Sequence, residues 1–274
     1  MKEYINLLHR VKSEVPLIQC ITNFVTVNDC ANIILASGGT PAMCKDIREV
    51  EEFVCNASAL VCNMGAIDLV DSMILAGRKA NNIGKPVVLD PVAVGATKLR
   101  RDMSKLLLDK VSFSVIRGNA SEIRFLAGQK TIGSGVDVNN NDIITETNLI
   151  DTIDTAKNLA KQINTVIAVS GVIDIVTDGI RTIILRNGCD TMSKITGSGC
   201  MLTSLIGTFC AVSPEEPFIS TVYAMAIMGV AGEFAEKKRL KNSTGNATFR
   251  TDLIDEVFNM TEEKLMEAIR YEVY

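Results

Sequence analysis

The sequence predicts one α/β domain with a central, mostly parallel sheet and helices on both faces, and three observations carry that expectation. Short apolar runs rich in Val and Ile recur along the chain, stretches of helical period separate them, and the rhythm changes towards the C-terminus to a hairpin followed by apolar helices.

The runs at Leu17–Thr22, Ala59–Cys62, Pro86–Leu89, Phe113–Ile116 and Thr165–Val169 are each long enough for a strand covered on both faces. Between them Phe24–Ser37, Asp68–Ile83, Thr97–Asp109, Ala120–Ala127 and Leu149–Ile163 have helical patterning, and this alternation gives parallel strands joined by crossovers. Met1–Glu14 mixes Lys2, Glu3, His9, Arg10, Lys12 and Glu14 with apolar residues, which reads as an amphipathic helix and not as the apolar core of a signal peptide. Ile173–Thr177 and Arg181–Leu185, joined through Asp178 and Gly179, read as an antiparallel hairpin at one edge. From Gly199 onward the chain is mostly helical, with breaks at Ser213–Pro217 and Asn242–Thr248. The polar segment Gly133–Asn148 is expected to be a surface loop long enough to act as a flap. No internal repeat or composition break divides the chain, so residues 1–274 form a single domain in this reading.

Composition narrows the functional classes. Hydrophobic residues make up 47% of the chain, which points to doubly covered strands or buried subunit contacts, hence an oligomer. Lys and Arg total 28 against 32 Asp and Glu, with no basic block, so there is no footprint for nucleic acid. The longest apolar region, Tyr223–Gly232, is too short to cross a bilayer and runs into Glu233, Glu236 and Lys237, so no membrane partner is expected. The eight cysteines have no zinc-site spacing, and several sit on apolar faces, which suits a reducing cytoplasm. The one histidine, His9, belongs to the N-terminal helix in a solvated or packing role, which leaves histidine triads and dyads without their base.

In open parallel sheets ligands bind beyond the carboxyl ends of the strands. Four predicted strands end there in polar residues: Asn63-Met64-Gly65, Asp90-Pro91, Arg117-Gly118-Asn119 and Ser170-Gly171. Asn119-Ala120-Ser121-Glu122 has the spacing of a helix capping box, while the preceding Arg117-Gly118 suits a phosphate aimed into the crevice. Glu122 and Asp90 are candidates to hold Mg²⁺ directly or through water, since this hard cation takes carboxylate oxygens and keeps several waters.

The second unit is Thr196-Gly197-Ser198-Gly199-Cys200 at the mouth of an apolar helix. Its bare backbone N–H groups at the positive helix pole make Gly197, Ser198, Gly199 and Cys200 a candidate anion hole; a tight turn into a buried helix is the plainer alternative. Cys200 stands where a side chain would face the anion, and the helix N-terminus is expected to depress its pKa, with an inert packed thiol as the other reading. Neither a GxxxxGK[ST] phosphate loop nor a GxGxxG dinucleotide loop occurs.

Taken in order, Ile21-Thr22-Asn23, Thr40-Pro41-Ala42-Met43, Leu60 to Gly65, Leu89-Asp90-Pro91-Val92 with Gly95-Ala96-Thr97, Ile116 to Ile123, Asn164 to Gly171 and Thr196 to Cys200 resemble the hydroxyethylthiazole kinase family along nearly the whole chain. The resemblance implies a ribokinase-like fold and ATP- and Mg²⁺-dependent phosphorylation of the hydroxyl of 4-methyl-5-(2-hydroxyethyl)thiazole in thiamine salvage. It also implies that Met43 and Gly197 contact the thiazole alcohol, that Arg117 and Ser170 contact ATP, and that Cys200 takes the place of the aspartate base of most ribokinase-like enzymes. The family is trimeric with sites between subunits, so a homotrimer is expected.

The chain departs from the family pattern at Ala93, where Gly is usual, at Ser170, where Thr is usual, and at Gly245-Asn246-Ala247-Thr248-Phe249, a weakened Gly-Pro-Gly-Ser-Phe segment. Cys200 argues against two relatives of the same fold, a hydroxymethylpyrimidine kinase and an ATP-dependent hydratase. A catalytically silent protein that binds nucleotide or thiazole would use the same glycines and arginine. A dehydrogenase is disfavoured by the missing glycine fingerprint.

Overall fold

A computed structural model describes residues 6–129 and 143–274. Its strands are β1 (Leu17–Ile21), β2 (Thr40–Ala42), β3 (Ala59–Asn63), β4 (Val87–Asp90), β5 (Val115–Asn119), β6 (Val166–Ser170), β7 (Asp174–Thr177), β8 (Thr182–Leu185) and β9 (Tyr271–Val273). They form one nine-stranded sheet in the order β2-β1-β3-β4-β5-β6-β7-β8-β9. The pairings from β2 through β6 are parallel, and those of β6–β7, β7–β8 and β8–β9 are antiparallel. The mostly parallel sheet and its antiparallel edge are thus as the apolar pattern predicts.

The helices are α1 (Leu7–Glu14), α2 (Val27–Ser37), α3 (Val50–Asn56), α4 (Val70–Asn82), α5 (Lys98–Lys110), α6 (Ala120–Leu126), α7 (Leu149–Ile163), α8 (Ser198–Val212), α9 (Pro217–Asn242), α10 (Asn246–Phe258) and α11 (Glu262–Ala268). They cover both faces because successive strand residues point to opposite sides. Ile18, Cys20, Ala59 and Val61 face a core shared with α1, α2, α8, α9, α10 and α11. Ile21, Leu60 and Cys62 face a second core shared with α3, α4, α5, α6 and α7. After β1 the chain steps outward to β2 and then back across to β3, so the strand order reverses between β1 and β3. Chains leave the sheet to opposite sides at such a point and open a crevice beyond the strand ends.

α9 is longer than the apolar stretch read from sequence. Among the described residues it is the one helix long and apolar enough to cross a bilayer, yet 89% of its most apolar window is buried inside the fold. It is a core helix.

β2, β9 and α3 are not anticipated by the pattern, and each has a local reason, while α11 lies in the C-terminal part expected to be mostly helical. β2 is three residues long and contains Pro41. β9 is wholly exposed and so has no apolar alternation; β8 pairs with it, and Arg186 bonds to Glu272. α3 and α11 are each seven residues long, with two glutamates apiece in the first turn. α2 begins at Val27, three residues later than expected, because Asn23 Oδ1 accepts from the N–H groups of Val25 and Thr26 and holds the intervening chain in a turn. The proposed flap at Gly133–Asn148 falls outside the described residues up to 142, as do the first five residues of the N-terminal helix.

α8 lies close on the sheet at Gly207, where an added Cβ would stand 2.5 Å from Val61 Cγ2 of β3. Gly207→Val is therefore expected to lower stability by about 1–3 kcal/mol, the usual range for overpacking. Urea denaturation checks it: an unchanged midpoint would mean that α8 can back away from the sheet freely.

Candidate active site

Four strand ends and one helix mouth meet at the carboxyl edge of the sheet. β4 ends in Asp90, which is buried at 1% exposure. Its Oδ2 accepts from Asn63 Nδ2 at the end of β3 (3.1 Å) and from Thr203 Oγ1 in α8 (2.9 Å), and lies 3.7 Å from Arg117 Nη1 of β5. Arg117 Nη2 in turn donates to Ser170 Oγ at the end of β6. Asp90, Arg117 and Ser170, picked out separately in the sequence, thus form one connected row along the sheet edge.

α8 enters this row at its first turn. Its N-cap, Gly197, has φ +85° and carries no side-chain cap. A Cβ there would be strained and would meet Thr26 Cγ2 at 2.7 Å. Gly199 is needed for a different reason: an added Cβ would lie 2.4 Å from Arg117 Nη1, so the guanidinium packs directly on the helix backbone. The first N–H groups of a helix have no acceptor within it, and they carry the positive end of its dipole. A cation pressed against that pole strengthens its attraction for an anion. The mouth of α8, from Gly197 to Cys200, is therefore electropositive.

Cys200 is enclosed by two amides. Asn63 Nδ2 donates to its Sγ at 3.2 Å, and Asn23 Nδ2 approaches it at 3.6 Å. Its acidity reverses the sequence expectation. Burial, assisted by the nearby Asp90 carboxylate, pushes the thiol up to about 12, against the lowering effect of Thr26 and Asn63 as hydrogen-bond donors. Burial is the dominant effect, so the thiolate expected near neutral pH is not the resting form.

Glu122 closes the expected capping box and also reaches a second element. The capping box is present: Asn119 Oδ1 accepts from Glu122 N (2.9 Å) and Glu122 Oε2 accepts from Asn119 N (2.8 Å). Its Oε1 reaches across to accept from Ala93 N at 2.8 Å, tying α6 to the loop after β4. Burial raises the pKa of both Asp90 and Glu122, and the Arg117 cation opposes that rise in each.

The residues present fit a divalent cation. Asp90 Oδ1 is buried without a hydrogen-bond partner, and the Asp90 and Glu122 carboxylates outnumber the single Arg117 charge that offsets them. Both Glu122 oxygens already accept a backbone N–H, so Glu122 suits a cation held through water better than one held directly. Among the described residues no group of three or more His, Cys, Asp or Glu side chains could hold a metal ion.

Met43 follows β2 on the same carboxyl edge and is partly buried against the α8–α9 core, outside the hydrogen-bonded cluster. Three members of the cluster, Asn23, Thr203 and Thr26, carry no role in the sequence reading, which marks Asn63 as a polar strand end. The spacing of Thr203, four residues after Gly199, was the available signal for one of them, since it sets both on one helix face.

Comparison with known proteins agrees with this picture. The model of the hydroxyethylthiazole kinase family matches residues 8–263. The chain is 44% identical to hydroxyethylthiazole kinase 2 of Methanosphaera stadtmanae over 268 residues, covering 95% of this chain and 94% of that one. It is similar in structure to a hydroxyethylthiazole kinase protein from Pyrococcus horikoshii OT3, with a TM-score of 0.87, 35% identity and full coverage of both chains. A Bacillus subtilis pyridoxal kinase solved with ADP shares the fold at a TM-score of 0.59 and 15% identity, covering 78% of this chain and 90% of that one. The sheet and its helical layers are ribokinase-like.

Ala93, where Gly is usual, has φ +55°. The left-handed region costs a non-glycine residue about 1–2 kcal/mol, partly returned by the lower entropy of unfolded Ala. Ala93→Gly is expected to raise stability by roughly 0.5–1 kcal/mol, read as a higher thermal midpoint. A lower midpoint would show that the Ala93 methyl, buried at 6% exposure, contributes more by packing than its backbone loses by strain.

Proposed function

The chain belongs to the hydroxyethylthiazole kinase family, and on that premise we propose that it transfers the γ-phosphoryl group of ATP to the side-chain hydroxyl of 4-methyl-5-(2-hydroxyethyl)thiazole, a step of thiamine salvage. The observation that carries this reading is the glycine-lined mouth of α8, with Arg117 packed on Gly199 and Cys200 in the first turn. Phosphoryl transfer passes through a loose transition state, so positioning and charge neutralisation matter more than a strong base. Backbone N–H groups from Ser198 to Cys200 receive the oxygens of the transferring group, and Arg117 and Ser170 hold the nucleotide phosphates. Met43 and Gly197 line the thiazole side. Asp90 directly, and Glu122 through water, would hold Mg²⁺, which supplies neutralisation of phosphate charge when bound.

Cys200 takes the proton of the substrate hydroxyl. Because a base works only when deprotonated, a thiol whose pKa is about 12 is active in the small fraction that is thiolate at neutral pH. That fraction grows as pH rises. kcat/KM is therefore expected to increase by close to tenfold per pH unit, a slope of about one, between pH 7 and 9.5. Cys200→Ala should lose this slope, and Cys200→Asp should exceed the parent at pH 7, since a carboxylate there ionises far below it. Release of ADP from ATP and the thiazole alcohol, absent with a hydroxymethylpyrimidine, is the assay. No ADP from the parent would leave a silent binding protein, and identical pH profiles for parent and Cys200→Ala would remove Cys200 as the proton acceptor.

A homotrimer with sites between copies is part of the same reading. Phe24 and Val25 are 87% and 59% exposed and directly follow Asn23 of the Cys200 cluster, so an apolar surface borders the site. Eight free thiols suit a reducing compartment, and the cytoplasm is proposed. Light scattering at micromolar concentration should give three copies for the parent and a smaller, poorly active species for Phe24→Glu. A monomeric, active parent overturns the assembly.

A further inference from the structure

We propose that Asn63 is a positioning residue that fixes the Cys200 sulfur and the Asp90 carboxylate in one rigid arrangement, joining the acceptor half of the site to the nucleotide half. The inference rests on the proposed roles of Cys200 and Asp90. It begins with hydrogen-bond polarity. Asn63 is 1% exposed at the end of β3. Its Oδ1 accepts from the backbone N–H of Gly65 at 2.8 Å, a partner that can only donate, so the amide has one permitted orientation. The same oxygen accepts from Asn23 Nδ2 at 3.2 Å, and Asn23 is itself held by the N–H groups of Val25 and Thr26 on its Oδ1.

The two hydrogens on Asn63 Nδ2 then meet two acceptors, Asp90 Oδ2 at 3.1 Å and Cys200 Sγ at 3.2 Å. Supply and demand match. A flipped amide would set its carbonyl against the Asp90 carboxylate and its NH₂ against the Gly65 N–H, which burial makes costly. The sulfur is therefore obliged to accept on the β3 side, and its reactive direction is turned away from β3. Asp90 is anchored by the same amide, alongside Thr203, as the sulfur is alongside Asn23, and Asn63 is the one donor the two share.

Asn63→Asp keeps the oxygen that Gly65 needs but removes both donors, and Asn63→Ala removes the amide entirely. Each is expected to lower kcat by roughly 10²-fold, the scale of a misplaced reacting group, with KM for both substrates changed far less. In the Cys200→Ala background the Asn63→Asp loss should shrink by at least about fivefold, because residues that act through one another are not additive. Equal losses in both backgrounds, or a kcat within about twofold of the parent in a folded Asn63→Asp, overturn the proposal.

A second measurement does not depend on turnover. Iodoacetamide labelling at pH 9, read on the Cys200 peptide against the exposed Cys55, should slow at least about threefold in Asn63→Asp, since the sulfur loses a donor and gains a negative neighbour. Loosened structure would speed it instead, so an unchanged or faster rate also overturns the proposal. If the parent turns over no thiazole alcohol, the functional reading fails while this labelling result still decides the contact.

Discussion

The arrangement turns on a single buried carboxylate. Asp90 sits where β4 stops, and its Oδ2 receives Asn63 from β3 and Thr203 from α8 while facing Arg117 from β5. Three separate elements are thereby registered on one oxygen atom. Burying that charge opposes folding unless it is met by donors and a cation, and removing one partner of such a set is far costlier than the set is stabilising. The position of the α8 mouth over the sheet edge follows from this requirement, because Thr203 can reach Asp90 only when the first turn of α8 lies directly above the strand ends.

That seating explains the two glycines of the helix mouth by steric need and not by flexibility alone. Gly199 has to lack a side chain because the Arg117 guanidinium occupies the space, and Gly197 has to lack one because Thr26 does, in addition to its left-handed backbone. Arg117 is held there by Ser170 and Asp90, with its Nε left without a partner. A cation, a helix pole and an incompletely satisfied carboxylate side by side form a site whose electrostatics remain unfinished within the chain. A polyanion with a divalent cation would complete both halves at once.

Much of this was legible in the sequence. The β1, β3, β4, β5 and β6 runs were readable because strands buried on both faces are continuous in Val and Ile, and Asp90, Arg117 and Ser170 could be placed on one edge because each follows such a run. The Asn119–Glu122 capping box was readable from its three-residue spacing. What escaped were quantities that depend on depth and on partners far apart in the chain. The acidity of Cys200 is set by how much water the fold excludes, which no local pattern encodes, and helix polarity alone gave the wrong direction. Asn23 and Asn63 are 40 positions apart yet share a hydrogen bond, and no local spacing links them. β9 was hidden because an exposed three-residue edge has no apolar alternation to reveal it.

The protonated state of Cys200 bears on the chemical durability of the site. The thiolate is the form that attacks peroxide and disulfides, so a sulfur kept as thiol by burial climbs the oxidation ladder slowly, from sulfenic to sulfinic acid and beyond. Reactive catalytic cysteines pay for their acidity with this vulnerability, which a thiol of raised pKa largely escapes. A carboxylate would avoid oxidation altogether, and a high-pKa thiol approaches the same inertness towards oxidants while retaining a larger, more polarisable atom at the mouth of α8.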